Sequence, residues 1–196
     1  MRDHDQRGFS LLELMVSLTV TLLLMTGVTK MLIENSRINR GQQMTAQVQS
    51  NARNCLSLIV QRLRSAGWDP LNVGIESVVL DTDLGDDISE IEIFADLDFD
   101  GTTDGLDEQV LIRHVGQQIV WRRTNDTSDP FVVLAANISN DADGDGNIEP
   151  MFVPSSIPNP RRLVVRITAR SPIPDPLSGE FIRFTASTEV VMRKSL

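Results

Sequence analysis

Residues 9–33 form an apolar run that begins at Phe9 and ends at Ile33, and its only charged members are Glu13 and Lys30. Between them, Leu14 to Thr29 holds neither charge nor proline. About 20 apolar residues in a helix cross a hydrocarbon layer of ~30 Å. Leu14–Ile33 reaches that length if the Lys30 ammonium snorkels to the interface. A carboxylate at that depth costs ~2.5–3.5 kcal/mol on insertion scales and is ordinarily paired. Glu13 therefore needs a counter-charge. A secretory signal is cut after its apolar region at a small-x-small site, but the residues that follow here are ENSRINRGQQ, which offer none. The small residue stands in front of the run instead, as Gly8 preceded by Arg7. A cut between Gly8 and Phe9 leaves the helix on the mature chain. It also frees an amine four residues before Glu13, on the same helix face.

The stretch Arg7-Gly8-Phe9-Ser10-Leu11-Leu12-Glu13-Leu14 resembles the class III signal of type IV prepilins and of the pseudopilins of type II secretion. The resemblance implies that a membrane aspartyl peptidase, the prepilin peptidase, cuts after Gly8 and methylates the new N-terminus at Phe9. It also implies that Glu13 pairs with that amine, its own or a neighbour's, and so sets the axial register of a helical filament. The leader, residues 1–8, holds Arg2 and Arg7 but also Asp3 and Asp5. Arg7, beside the membrane edge, then carries most of the orientation signal.

Beyond the apolar run, Glu34 to Ala66 contains no proline, and Met44, Val48, Ala52, Cys55, Leu56, Ile59 and Leu63 recur at spacings of three and four. This predicts an amphipathic helix continuous with the first, ended by Gly67 and Asp69-Pro70. The stretch Asn51 to Trp68 is similar to the corresponding segment of W-type minor pilins and, more loosely, of J-type pseudopilins. After Pro70 the period changes to two at Ile91, Ile93 and Ala95 and again at Leu163, Val165, Ile167 and Ala169. Val110–Val115 and Gln118–Arg123 flank Gly116-Gln117 as a hairpin, Phe131–Ile138 is an apolar run, and Phe181–Met192 reads as the last strand. The expected fold is α+β, a pilin-like ladle in which a long N-terminal helix packs on an antiparallel sheet. Its parts are a leader at 1–8, a transmembrane or filament-core half at 9–33, an amphipathic half at 34–67, and a β-rich head at 68–196.

The head is acidic, and from Asp69 to Glu108 there is no lysine or arginine. The loop at 96–108 opens as Asp96-Leu97-Asp98-Phe99-Asp100-Gly101, continues through Asp104, and has Asp107 at its twelfth position. Alternate carboxylates with a glycine at the sixth position follow the spacing of an EF-hand loop, which folds around a hard cation. The loop at 141–149 repeats the start with Asp141, Asp143, Asp145 and Gly146, but its twelfth position is Phe152, so Glu149 is the candidate closing acid. These acids are the candidate Ca²⁺ ligands; the alternative is a pair of solvated acidic turns.

A net charge of −9 excludes a phosphate-binding surface for nucleic acid. A single cysteine, Cys55, excludes an internal disulfide. No P-loop, G-x-S-x-G or H-E-x-x-H is present, and His114 has no cysteine or histidine partner in the sequence, so no enzyme is expected. The resemblance implies a minor type IV pilus subunit that assembles into, primes or caps the pilus. Its partners would be other minor pilins, the major pilin, the prepilin peptidase and the inner-membrane assembly platform. Before assembly it would lie in the bacterial inner membrane with its head in the periplasm, and afterwards in a surface pilus. A J-type pseudopilin and a membrane-tethered Ca²⁺-dependent adhesin are the alternatives. Exposed to a prepilin peptidase, the chain should lose residues 1–8 and gain a methyl group, read by intact mass. Gly8→Leu should leave it full length.

Overall fold

The structure is a computed structural model that describes residues 10–80, 89–123, 126, 128–156 and 160–192. The leader and both residues of the expected cut, Gly8 and Phe9, lie outside the described residues. One helix, α1 (Leu11–Ser65), runs unbroken from the apolar segment into the head. At 1.5 Å per residue it is about 82 Å long. Ser10 caps it with extended backbone (φ −76°, ψ 147°), and its hydroxyl oxygen accepts the Glu13 N–H at 3.2 Å. Ala66 ends it by leaving helical geometry, and Gly67 follows at φ +70°. The Gly67 N–H then donates to the Phe94 carbonyl (2.8 Å), which pins the helix end to the sheet.

Five strands follow as an antiparallel meander: β1 (Val78–Leu80), β2 (Glu90–Phe94), β3 (Gln109–Val115), β4 (Gln118–Arg122) and β5 (Val132–Ala136). Gly116, at φ +61°, opens the two-residue turn between β3 and β4 that the sequence predicts. A second, three-stranded antiparallel sheet holds β6 (Phe152–Pro154), β7 (Arg162–Arg170) and β8 (Arg183–Val191). An isolated bridge between Ile138 and Ala169 joins the sheets. The α+β arrangement is as expected, with two sheets where the sequence suggested one. The strands β1 and β6 were not anticipated. Each has three residues, too few for a period of two to register.

The buried stripe of α1 is Val48, Ala52, Cys55, Ile59 and Leu63, five of the seven positions marked by the sequence. It packs chiefly on β8 and β7, with lesser contacts to β2 and β5. Ile91, Ile93, Val110, Ile112 and Ile119 of the first sheet and Leu163, Val165 and Ile167 of the second complete one core. Everything on α1 from Leu11 to Arg40 is exposed, so about 45 Å of helix projects from the head. Ile59→Ala should lower the unfolding free energy by about 2–5 kcal/mol. Leu58→Ala, on the outer face of the same turn, should change it by under about 0.5 kcal/mol. Urea denaturation of the two variants checks both.

Candidate functional site

The start of α1 has the S-x-x-E spacing of a capping box, with the serine half of it made. Ser10 stands at the cap and Glu13 three residues in, where its charge also favours the positive end of the helix dipole. The Glu13 side chain is exposed. Local chemistry thus accounts for a serine and an acid at this spacing, independently of any partner for the carboxylate.

Within α1 the apolar stretch Leu11–Ile33 carries five hydroxyl residues, and each donates to a carbonyl one turn back. Ser17 bonds Leu14 and Thr19 bonds Val16, while Thr21, Thr26 and Thr29 bond Ser17, Leu22 and Met25, all at 2.8–2.9 Å. None of these five hydroxyls is left to demand water, which suits a helix face turned to lipid. Among the described residues, α1 is the one helix long and apolar enough to cross a membrane, and none of that stretch is buried against the head.

The first acidic loop joins β2 to β3 at the far end of α1. Its base is closed by Ala95 N–H to Glu108 O and Asp96 N–H to Trp68 O, both 2.9 Å. Asp96 is fully buried; its Oδ1 accepts from Phe99 N–H (2.7 Å) and its Oδ2 from Gly101 N–H (3.1 Å). Glu108 is also buried, and it accepts from Leu97 (2.7 Å), Asp98 (3.0 Å) and Gly105 (2.7 Å). Asp96, Asp98 and Glu108 each bring a carboxylate oxygen within 4.8 Å of the others. Desolvation, and then the charges of Asp100, Glu108 and Asp96, hold the Asp98 carboxyl above its ordinary range, against a bond from the Asp100 N–H. Asp100 is shifted the other way by the Thr102 hydroxyl and then the Thr102 N–H. The Thr102 hydroxyl also lies 2.6 Å from Asp104.

Asp107 is not part of this cluster. Its carboxylate lies 3.2 Å from Arg62 of α1 and 3.6 Å from Arg123. Its N–H donates to the Arg123 carbonyl, and its backbone stands at φ +70°. The acid that converges with Asp96 and Asp98 is Glu108, one residue later, which the twelve-residue spacing passes over. The spacing points to Asp107 alone, and in the fold the arginine on α1 holds that carboxylate.

The second loop, between β5 and β6, copies the turn geometry of the first. Asp141 accepts from Gly144 (2.6 Å), Asp143 from Asp145 (3.1 Å) and Asp145 from Asn147 (2.7 Å). The first loop bonds at the same offsets, from Asp96 to Phe99, Asp98 to Asp100 and Asp100 to Thr102. Both take left-handed backbone at the fourth and sixth positions: Phe99 (+70°) and Gly101 (+84°), Gly144 (+86°) and Gly146 (+91°). Phenylalanine there is strained where glycine is not. Bonds from the Asn147 N–H and side chain hold the Asp145 carboxyl below its usual range.

Asp141, Asp143 and Asp145 converge, but Glu149 is not among them. Its N–H and carbonyl are instead paired with Asn140 at the base of the loop (2.7 and 3.0 Å). The guanidinium of Arg183 lies 3.8 Å from Asp141, and Phe152, at the twelfth position, is in the core.

Two other residue types are accounted for. The half-buried His114 ring is hydrogen-bonded to the Ile138 carbonyl (3.0 Å). Cys55 is buried in the α1 stripe, and that burial pushes its thiol up to about 12.

The family model for the prokaryotic N-terminal methylation motif matches residues 3–29. No curated protein and no solved structure matches the chain. The matched segment contains Gly8, Phe9 and Glu13 and ends before Lys30. Glu108→Ala should cost about 1–3 kcal/mol of stability, since it strips a buried acceptor from three backbone N–H groups. Asp107→Ala should cost under about 1 kcal/mol. Chemical denaturation ranks the two.

Proposed function

We propose that this chain, which carries the N-terminal methylation motif of type IV pilins and pseudopilins, is a minor, W-like subunit of a type IV pilus. After cleavage behind Gly8 and methylation of Phe9, it assembles into the pilus, primes it or caps it. The carrying observation is the matched motif at the root of a helix whose first 30 residues, Leu11 to Arg40, have no cover within the chain. That rod needs lipid first and neighbouring helices afterwards. In the bilayer, Glu13 pairs with the Phe9 amine. In the filament core, the same carboxylate meets the amine of an adjacent subunit. The motif implies a prepilin peptidase and assembly partners in general; the specific partners proposed are other minor pilins, the major pilin and the inner-membrane platform. A J-type pseudopilin would share the helix and the processing step, and the genes beside this one separate the two readings.

Glu13→Ala should be cleaved normally and accumulate in the membrane yet be missing from sheared pili on an immunoblot. Its incorporation at the wild-type level would refute the pairing.

The head takes a Ca²⁺ ion in its first loop, in this reading. The donors are all oxygens, as a hard cation requires, and Asp96, Asp98 and Glu108 crowd together with Asp98 held above its ordinary range. A cation would relieve that repulsion. The second loop lacks a converging fourth acid and has Arg183 beside Asp141, so it is the weaker site. A raised carboxyl means that ionisation is disfavoured in the folded loop, and so stability without the ion should rise as pH falls through the Asp98 range. Thermal unfolding of the full chain in detergent should show a gain with millimolar Ca²⁺ over EDTA. Asp98→Asn should raise the midpoint in EDTA and shrink the Ca²⁺ gain. An identical midpoint with and without Ca²⁺ in the unsubstituted chain would remove the ion from the account.

A further inference from the structure

Four strands stand at the edges of the two sheets, β1 and β5 in the first and β6 and β8 in the second. Three of them are blunted. β1 and β6 have three residues each, and β6 ends at Pro154. β5 meets β4 through a register shift, and the chain just beyond it bridges to β7 at Ile138. β8 differs from all three. It runs nine residues, Arg183–Val191, in unbroken register with β7 and with neither proline nor glycine. An unpaired edge of that length is a template for a further strand, and proteins ordinarily interrupt it.

The ends of the ladder show which groups of β8 are free. The Ser171 N–H donates to the Ile182 carbonyl (2.8 Å), and the Met192 N–H donates to the Arg161 carbonyl (3.1 Å). Ile182 and Met192 therefore turn their backbone groups to β7, and by alternation so do Phe184, Ala186, Thr188 and Val190. The N–H and C=O groups of Arg183, Thr185, Ser187, Glu189 and Val191 point the other way. Among the described residues, none of these groups meets another backbone group. Thr185, Ser187, Glu189 and Val191 are exposed. The charges of Arg183 and Glu189 are engaged within the chain, by Asp141 and Arg162, so neither is an unpaired charge guarding the edge.

α1 lies across one face of β8, and a flank of the helix overhangs the free side. Arg53 stacks on Phe184 (5.5 Å to the ring centre). Leu56 and Val60, three and seven residues on, share that flank. The opposite flank is turned to the first sheet, where the Asn51 amide donates to the Ala136 carbonyl (2.6 Å) and Arg62 meets Asp107. The two sheets join on the β6 side of β7, so the flank turned away from the first sheet is on the free side of β8. Phe184, Leu56 and Val60 pack on the core yet are only half-buried. They form an apolar ledge along a row of unpaired backbone groups.

We propose that the free edge of β8 accepts an extended segment of another protein as the fourth strand of the second sheet. Apolar side chains at alternate positions of that segment cover Phe184, Leu56 and Val60, and polar ones between them lie beside Thr185 and Ser187. The occupant is a polypeptide because the requirement is periodic. Donor and acceptor recur every second residue, about 6.8 Å apart, and an extended backbone has that repeat while a lipid headgroup does not. The chain itself does not supply the strand. β8 runs in the same sense as α1, since Ile182 lies by Gly41 and Thr45, and Phe184 by Arg53. Antiparallel pairing of two copies through β8 would set their apolar helices in opposite directions. The other edges of the chain are three to five residues long, too short to fill this one. The edge is open whether or not the chain enters a pilus.

The test is amide exchange, read residue by residue on the full chain in detergent. The added strand is a synthetic peptide of the β7 sequence, residues 162–170. It has the required alternation, with Leu163, Val165, Ile167 and Ala169 on one side. Without peptide, Ala186, Thr188 and Val190 should exchange slowly and Thr185, Ser187 and Glu189 fast. Millimolar peptide should slow the second set about tenfold or more. Ser187→Pro removes an outward N–H and leaves the β7 ladder alone. Its Ala186 and Thr188 amides should stay slow, which shows that it is folded, and the peptide should no longer protect Thr185 and Glu189. A second set that stays fast with peptide would overturn the acceptor edge. So would equal protection of the Ser187→Pro chain, or slow exchange of the second set in the monomeric unsubstituted chain before peptide is added. Slowing without peptide that appears only as the chain is concentrated would give the edge to a second copy and overturn the assignment to another protein.

Discussion

The head exists because one face of α1 is covered. Val48, Ala52, Cys55, Ile59 and Leu63 lie one turn apart on a single stripe, and both sheets close over it. Full burial of each larger apolar side chain contributes about 1.5–3 kcal/mol, and no disulfide assists. Removing the stripe would leave two small sheets facing water on their apolar sides. The same helix has no such cover over its first 30 described residues. One continuous element therefore has two solvents: the protein core along one stripe of its upper half, and something apolar outside the chain around its lower half.

The large features were legible in the sequence because each repeats. The apolar run, the three-and-four spacing of α1 and the alternation in β2 and β7 are periodic signals that survive without tertiary information. What escaped was short or relational. Three-residue strands such as β1 and β6 show no period. The split into two sheets depends on which strand finds which partner. In the first acidic loop, Asp107 and Glu108 are adjacent acids; the spacing points to Asp107, while the carboxylate that lies with Asp96 and Asp98 is that of Glu108. Arg62, on the last turn of α1, draws Asp107 away, and Glu108 folds in to receive three N–H groups. No local pattern encodes an arginine some 45 residues earlier in the chain.

The two ends of the molecule handle negative charge in opposite ways. At the root of α1, a single carboxylate is placed at the positive end of a helix. In the loops, carboxylates are gathered at short range and held by backbone N–H groups, which orient them without cancelling their charge. Asp98 is raised by desolvation and Asp100, two residues on, is lowered by the Thr102 hydroxyl and N–H, so neighbouring acids of one loop are supported unevenly. Arg183 beside Asp141 gives the second loop a cation from the chain itself, a difference the shared D-x-D-x-D-G start does not reveal.

The pairing of α1 with β8 has a consequence for the order of events during biogenesis. The first element of the chain finds its main partner in the last strand, while the strands between form a meander of sequential neighbours. Loop closure over most of the chain has to wait for β8, and long-range closure is the slow part of folding. A nascent chain would hold a finished hairpin array and an uncovered helical stripe until β8 emerged. Completion of the head thus reports that β8 has been made.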